Sequence, residues 1–373
     1  MALRVLRIRN ADDRFGDALP AEGYMMDFFG TGWDVAERMG LIEELRQIRY
    51  PIDALEFVDA QARAQVTIPI ERIRRALGNN YVYLRRSDLA GILYRHARTA
   101  GIEVRFGTSI ETLQEHGDDV RVTFAGGGDG EFALVFGADG IHSRVRELAF
   151  GPEEQYQRYL GYYVAAFHVA DHDYDIGRAC KLYEEPDRLA WLYPLGGRRL
   201  DATYVFRHAG AGHIAPEQRL EFIKRNYAGA GWLAERLLRD HPASQPVYFD
   251  PAIQIAMPRW HRGRVALLGD ACGALTLLAG QGSHMAMADA YVLAQELAGA
   301  RDHRTAFATY QRQLLPAVER KQRDASWLAR MFVPTARSRP WLRHAVVRTI
   351  LSAPLARYTM AYSGATSVLA DYP

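Results

Sequence analysis

The residues with the clearest chemical meaning lie where an apolar strand ends. Residues 265–268 (VALL) predict a strand buried on both faces, and this strand leads into Gly269 and Asp270. Open α/β sheets bind their ligands at the carboxyl ends of such strands. An aspartate carboxylate only accepts hydrogen bonds, which suits a hydroxyl of a sugar alcohol. The alternative interpretation of Asp270 is a helix cap.

A glycine loop follows about ten residues later and leads into a long predicted helix. Gly280 and Gly282 allow the backbone to approach a ligand closely, and Ser283 begins the helical pattern. The N-terminus of a helix carries partial positive charge. The loop could therefore stabilise a ring that becomes anionic on reduction. The alternative is a loop that is merely flexible.

A second constellation, D-G-x-x-S-x-V-R over residues 139–146, lies between a short apolar strand and a helix. Its first residues, Asp139 and Gly140, form a small-residue turn that a ligand could approach. Amides at the start of the helix favour an anion or a phosphate. The alternative is an ordinary strand–turn–helix junction in which Ser143 caps the helix.

The third candidate is Arg86, in the sequence LRRSDL, where a helix is predicted to start with Ser87 as its cap. An arginine at this place could reach a phosphate or a ribityl chain. On local grounds, a solvated surface arginine is an equal alternative. No residue stands out as a general base, so the sequence predicts no catalytic residue.

The elements that must position these residues are of two kinds. Short apolar strands joined to helices predict a parallel sheet that is buried on both faces. Alternating residues at 109–135 and aromatic strands between 162 and 208 predict antiparallel sheets, and one domain would interrupt the other. Several side chains of the aromatic strands are candidates for the core or for a flat apolar pocket: Tyr162, Tyr163, Phe167, His168, Trp191, Tyr193 and Tyr204.

Taken in order, the three motifs resemble those of the class A flavoprotein monooxygenases. This is the group of para-hydroxybenzoate hydroxylase and of the tetracycline-inactivating and polyketide-hydroxylating monooxygenases. Residues 139–146 match the family's DG motif, residues 269–282 match its GD motif and glycine pair, and Arg86 matches its FAD-contacting arginine. Residues 23–30 (GYMMDFFG) look like the family's substrate-side loop. The resemblance covers about residues 22–300.

The resemblance implies a mixed α/β (α+β) protein with the two-domain fold of para-hydroxybenzoate hydroxylase. An incomplete Rossmann-like FAD-binding domain would join a substrate domain built on an antiparallel sheet, followed by a helical C-terminus. The FAD-binding domain would comprise residues 1–50, 84–150 and 256–300, and the substrate domain would comprise residues 51–83 and 151–255. The helical C-terminus would comprise residues 301–373.

The resemblance also implies an activity. FAD would be the cofactor and NAD(P)H the co-substrate, and an aromatic or polyketide-like small molecule would be hydroxylated with O2. The cofactor-binding residues it implies are Asp270 for the ribityl chain, Gly280, Gly282 and Ser283 for the flavin ring, and Asp139 and Arg86 for the ribityl–pyrophosphate side.

One part of the family pattern is missing from the printed residues. The family opens with a strand, G-x-G-x-x-G and a helix that bind the FAD pyrophosphate, and no such fingerprint occurs here. Smaller departures are Gly273 and Leu277, where the family has His and Pro. We therefore expect either a truncated gene product with impaired FAD binding or a redox-inactive relative. That relative would be a lipophilic-ligand binder or a non-redox cyclase.

Composition excludes several other classes of protein. With 49% apolar and 24% charged residues, the chain is typical of a globular protein. A net charge of +2 gives no case for a nucleic-acid partner. No apolar run approaches the roughly 18 residues of a transmembrane helix. The two cysteines are too few for a disulfide framework, so we expect a cytoplasmic protein without disulfides. No cluster of ligand residues predicts a metal site.

Overall fold

The structure is a computed structural model that describes residues 4–5, 24–170, 173–174, 176–212, 214–276, 280–335, 344–345, 349, 367–369 and 372. The strands are β1 (Arg4–Val5), β2 (Met25–Phe29), β3 (Ala54–Val58), β4 (Ala64–Pro69), β5 (Tyr81–Arg85), β6 (Glu103–Val104), β7 (Ile110–His116), β8 (Asp119–Phe124), β9 (Asp129–Phe132), β10 (Val135–Gly137), β11 (Gln157–Val169), β12 (Ala179–Glu185), β13 (Arg188–Gly196), β14 (Arg199–Arg207), β15 (Tyr248–Ile255), β16 (His261–Arg262) and β17 (Val265–Leu267). The helices are α1 (Gly30–Arg38), α2 (Ile42–Ile48), α3 (Ile70–Ala76), α4 (Arg86–Thr99), α5 (Arg144–Phe150), α6 (Pro216–Asn226), α7 (Ala234–Asp240), α8 (Asp270–Gly273), α9 (Gly282–Gly299) and α10 (His303–Phe332).

A seven-stranded sheet occupies the middle of the chain and confirms the predicted antiparallel, aromatic-rich sheet. Its order is β15-β11-β14-β13-β12-β3-β4, and all neighbouring pairs are antiparallel except β12 with β3. Alternate residues face opposite sides of a sheet. On the side covered by α6 and α7, Tyr163, Phe167 and Tyr204 belong to a buried core. Tyr162, Trp191 and Tyr193 belong to the opposite face.

The predicted parallel sheet is present in two separate pieces. β1 pairs with β6, and β10 pairs with β17, to which β16 adds in the antiparallel sense. Within the described part of the chain, no strand hydrogen-bonds to both pieces. The side chains of β17 are fully buried, as expected for a strand that is covered on both faces. The predicted meander at 109–135 forms the antiparallel sheet β7-β8-β9.

A two-stranded antiparallel ribbon of β2 and β5 lies between the two main cores. The predicted loop at 23–30 is therefore wrong for residues 25–29, which form β2. Met26 and Phe28 pack in the core that contains α1 and α9, whereas Met25 packs with the seven-stranded sheet. Because both faces of β2 bury apolar residues, the segment lacks the alternation that marks a half-buried strand.

α10 makes up most of the described C-terminal region, whereas residues 333–335, 367–369 and 372 lie outside any helix. A proline inside a helix predicts a break, yet α10 is 30 residues long and continues through Pro316. Of the helices in the described ranges, α10 included, none is both long and apolar enough to cross a membrane. The division of the chain into two domains and a C-terminal region stays our proposal.

Candidate functional site

The turn between β17 and α8 holds Asp270 at the end of the buried strand, as the sequence predicted. Gly269 adopts a φ of 58° and a ψ of −136°, a conformation that is essentially restricted to glycine. A Cβ at this position would lie 2.9 Å from the Cβ of Ala286 in α9. The chain therefore needs glycine here both for the turn and for the close approach of α9.

The carboxylate of Asp270 faces the glycine loop. A Cβ built at Gly282 would lie 3.4 Å from Asp270 Oδ1, so the two motifs meet in space. Burial raises the pKa of Asp270, and the nearby Arg86 guanidinium opposes this rise. Among the described residues, no donor forms a hydrogen bond with the carboxylate. The Asp270 side chain is only partly buried, so its carboxylate is able to accept a hydrogen bond from a hydroxyl of a ligand.

Arg86 is the first residue of α4 and faces the same space as Asp270. Its guanidinium carbon lies 5.8 Å from the centroid of the Tyr24 ring, which packs 5.6 Å from the ring of Tyr248. Asp270 and Tyr248 are close enough to act on its charge. The side chain nevertheless keeps an exposed surface. Arg86 is therefore exposed, as the surface alternative predicted, and at the same time lies within electrostatic range of Asp270.

Asp139 and Ser143 stabilise the turn before α5. Asp139 Oδ1 accepts a short hydrogen bond from the Ser143 hydroxyl, and its Oδ2 accepts one of 3.1 Å from the amide of Val145. Ser143 in turn accepts from the amide of Arg146 at 3.0 Å and caps the helix. These are the contacts of the capping alternative. A contact of Asp139 with a cofactor stays a prediction.

Arg146 connects the two motifs, a role that the sequence did not reveal. The side chain is fully buried. Its Nη1 donates to the carbonyl of Ala271 at 3.0 Å, and its Nη2 donates to the carbonyl of Ile141 at 2.7 Å and forms a short ion pair with Glu153. The sequence signal was its place as the last residue of the D-G-x-x-S-x-V-R motif.

His142, beside Arg146, predicts a pH dependence of stability. Its Nδ1 lies 2.7 Å from Glu153 and its Nε2 lies 3.5 Å from Asp250. Asp250 first, and then Glu153, raise the pKa of His142 to about 9. Because the unfolded value is about 6.5, this stabilisation is fully present below that pH and is lost as the pH rises toward about 9.

We therefore expect His142→Gln to lower the free energy of unfolding at about pH 6 and to have less effect at about pH 9. Urea unfolding at both pH values measures this difference. His116→Gln is the control, because His116 is exposed at the end of β7. An equal loss of stability at both pH values would contradict the assignment of a charged imidazole.

A row of aromatic rings extends from the glycine loop to the seven-stranded sheet. It starts at His284 in the first turn of α9 and passes through the β2–β5 ribbon to β13. Successive ring centroids lie 5.2, 6.0, 5.3, 6.3 and 5.6 Å apart. The row consists of His284, Phe29, Tyr81, Tyr83, Tyr193 and Trp191.

Asp27 places a carboxyl group in the middle of this row. It accepts hydrogen bonds from the hydroxyls of Tyr81 and Tyr83, and its backbone carbonyl lies 3.0 Å from His284 Nε2. Burial raises the pKa of Asp27, yet the side chain keeps some accessible surface. Asp27 was not among the predicted site residues, although a lone acid between apolar residues in MMDFF was a visible signal.

Other reactive groups form no second site in the ranges that the structure describes. No group of three or more His, Cys, Asp or Glu residues there could hold a metal ion. Cys180 and Cys272 are both buried as free thiols. Burial raises the pKa of both thiols, which keeps them protonated and unreactive.

Comparisons with known proteins agree on the family and the fold. A family model described as "FAD binding domain" matches residues 30–325. An uncharacterized protein of Mycobacterium tuberculosis is 35% identical over 331 residues, which cover 84% of each chain. A flavin-dependent monooxygenase of an unknown prokaryotic organism is 30% identical over 314 residues, which cover 83% of this chain and 80% of the relative. The crystal structure of tetracycline destructase Tet(55) matches with a TM-score of 0.80 and 27% identity, covering 95% of this chain and 90% of the other.

Proposed function

Since this chain belongs to the class A flavoprotein monooxygenases, we propose that it hydroxylates an aromatic or polyketide-like small molecule with NAD(P)H and O2. The observation that carries this proposal is the meeting of Asp270, the glycine loop and the first ring of the aromatic row at the start of α9. The overall reaction would oxidise NAD(P)H, place one oxygen atom in the substrate and release the other as water. Bound FAD would supply the redox chemistry.

The residues present fit the flavin half of FAD. The carboxylate of Asp270 would accept a ribityl hydroxyl, since it lacks a donor among the described residues. Gly280, Gly282 and the amide of Ser283 would face the flavin ring at the N-terminus of α9, where partial positive charge favours an anionic ring. Arg86 would reach toward the ribityl–pyrophosphate side. Because G-x-G-x-x-G does not occur in the printed residues, we assign no residues to the binding of the pyrophosphate.

The aromatic row would hold the substrate. Its apolar rings pack between the ribbon and the seven-stranded sheet, and the polar groups of Asp27, Tyr81 and Tyr83 lie among them. Burial favours the neutral form of Asp27, which can donate as well as accept a hydrogen bond. A ring compound with a hydroxyl or carbonyl group matches this combination. The likeness to a tetracycline destructase supports a polyketide-like substrate.

The proposal is tested first with the purified chain, FAD and a panel of phenols and polyketides that includes tetracycline. We expect saturable FAD binding, followed by substrate-stimulated oxidation of NADH or NADPH and a product heavier by one oxygen atom. Comparing the oxidation rates of NADH and NADPH shows which of the two is the co-substrate. FAD binding without oxygen transfer to any compound of the panel would count against the proposed substrate class. The absence of FAD binding would count against the enzyme itself.

The substrate side is tested separately with Tyr81→Phe and Asp27→Ala. We expect both variants to raise KM for the best compound of the panel, by roughly five- to tenfold for the loss of one hydrogen bond. FAD affinity should stay unchanged, because the side chains lie on the sheet side of the ribbon. Tyr163→Phe is the matched control, since its hydroxyl binds the carbonyl of Gly212 on the opposite face of the sheet. An unchanged KM in both test variants would remove the aromatic row from the substrate site.

A second candidate function is a redox-inactive binder of a lipophilic molecule or a non-redox cyclase. Such a protein would use the aromatic row and Asp27 without any flavin. It is distinguished by ligand binding or product formation that does not depend on added FAD.

A further inference from the structure

Asp289 is a buried acid on α9 that none of the three motifs includes. Its side chain is 1% exposed. Its Oδ2 accepts a hydrogen bond of 2.7 Å from the amide of Gly269, the residue before Asp270. Among the described residues, its Oδ1 has no hydrogen-bond partner. The carboxyl group is therefore committed to one backbone amide of the turn.

A carboxyl group at this position is unfavourable, because burial removes it from water. Burial, with the nearby Asp270 charge as a smaller cause, raises the pKa of Asp289 to about 7. An apolar side chain would avoid this desolvation. It would, however, leave the amide of Gly269 without a partner in the interior, which folded proteins rarely tolerate.

The other described side chains that contact the turn donate to its carbonyl groups. Tyr310 of α10 donates to the carbonyl of Leu267 at 3.1 Å, and Cys272 donates to the carbonyl of Gly269 at 3.5 Å. Asp289 is the only described side chain that accepts a hydrogen bond from the amide of Gly269. This hydrogen bond orients the peptide plane between Leu268 and Gly269. Rotation of that plane would move the side chain of Asp270.

We propose that Asp289 is a positioning residue that holds the Gly269 amide and so aims the Asp270 carboxylate at the ribityl chain of FAD. This inference rests on the proposed function, because it takes FAD as the ligand of Asp270. Asp289 itself does not touch the cofactor. Its effect passes through one hydrogen bond and one peptide plane.

The test compares Asp289→Ala with Asp289→Asn. Without FAD, amide hydrogen exchange of peptides covering residues 268–273 should be faster in the alanine variant and unchanged in the asparagine variant, whose side-chain oxygen still accepts. In FAD titrations, the alanine variant should bind roughly tenfold more weakly, the equivalent of one buried hydrogen bond. Asparagine should restore the affinity. If the alanine variant does not fold, Asp289→Ser replaces it, because the shorter side chain cannot span the same distance.

Asp302→Ala is the matched control. The Asp302 carboxylate also accepts from a backbone amide, that of Thr305 at 2.8 Å, but it caps α10 away from the turn. It should change neither the exchange of residues 268–273 nor FAD affinity.

The outcomes separate this inference from the proposed function. Unchanged exchange in Asp289→Ala would overturn the inference, and so would faster exchange with wild-type FAD affinity. Failure of asparagine to restore either property would also overturn it. If the wild-type chain binds no FAD, the proposed function and the aiming of Asp270 both fail, and the exchange data alone decide whether Asp289 holds the turn.

Discussion

Replacing Arg146 with methionine is expected to lower the free energy of unfolding by about 3–5 kcal/mol, the usual effect of breaking a buried ion pair. The fully buried guanidinium pairs with Glu153 and donates to the carbonyls of Ala271 and Ile141. Methionine fills much of the same volume, so the loss reflects mainly the polar groups that lose their partners. Urea unfolding of both proteins measures the difference.

Arg144→Met is the control for this prediction. Arg144 lies two residues earlier in the same helix, and its ion pair with Glu147 is much more exposed, at 35% and 52% of the two side chains. Exposed pairs contribute little, so we expect a change of at most about 1 kcal/mol. Similar losses in the two variants would show that the buried arginine is not a special contact between the motifs.

The second large effect is expected from Asp270→Ala, which should weaken FAD binding by roughly ten- to a hundredfold, or about 1.5–3 kcal/mol. The reason is the loss of an acceptor that we assign to a ribityl hydroxyl. The same substitution should leave the free energy of unfolding unchanged or raise it. In the absence of ligand, partial burial raises the pKa of the carboxylate, and no described residue donates a hydrogen bond to it.

These two readouts make the prediction specific. A FAD titration and a urea unfolding curve are measured on the same preparation, with the exposed Asp129→Ala as the control. A weaker affinity that is accompanied by an equal loss of stability would indicate a structural effect. An unchanged affinity would remove Asp270 from the cofactor site.

The meeting of Asp270, Gly282 and Arg86 could be predicted because each follows a local rule. Asp270 ends a wholly apolar strand, and the glycine loop opens a long helix. Arg86 also begins a helix, and the resemblance of the three ordered motifs to one family placed them together. Neither the strand end nor the glycine loop needs a long-range contact for its recognition, since strand ends and helix starts are visible in a short window of sequence.

The remaining site residues depend on contacts that no short window contains. Arg146, Asp289 and Asp27 are charged residues in apolar surroundings, and each finds its partner on a different element. The strand β2 was missed for a related reason, because its two faces enter two different cores. Pro316 within α10 is a further difference, and nothing in the described contacts explains why the helix continues through it.

The β2–β5 ribbon separates two sets of positions that can change independently during evolution. On one face, Met26, Phe28, Val82 and Leu84 belong to the core on the side of α9. On the other face, residues 25, 27, 29, 81 and 83 meet the seven-stranded sheet. If the aromatic row holds the substrate as we propose, single substitutions at the odd-numbered positions would alter the substrate preference of a descendant without disturbing the core on the side of α9. An insertion or deletion of one residue would exchange the two sets, so lineages should diverge here by replacement rather than by a change in length.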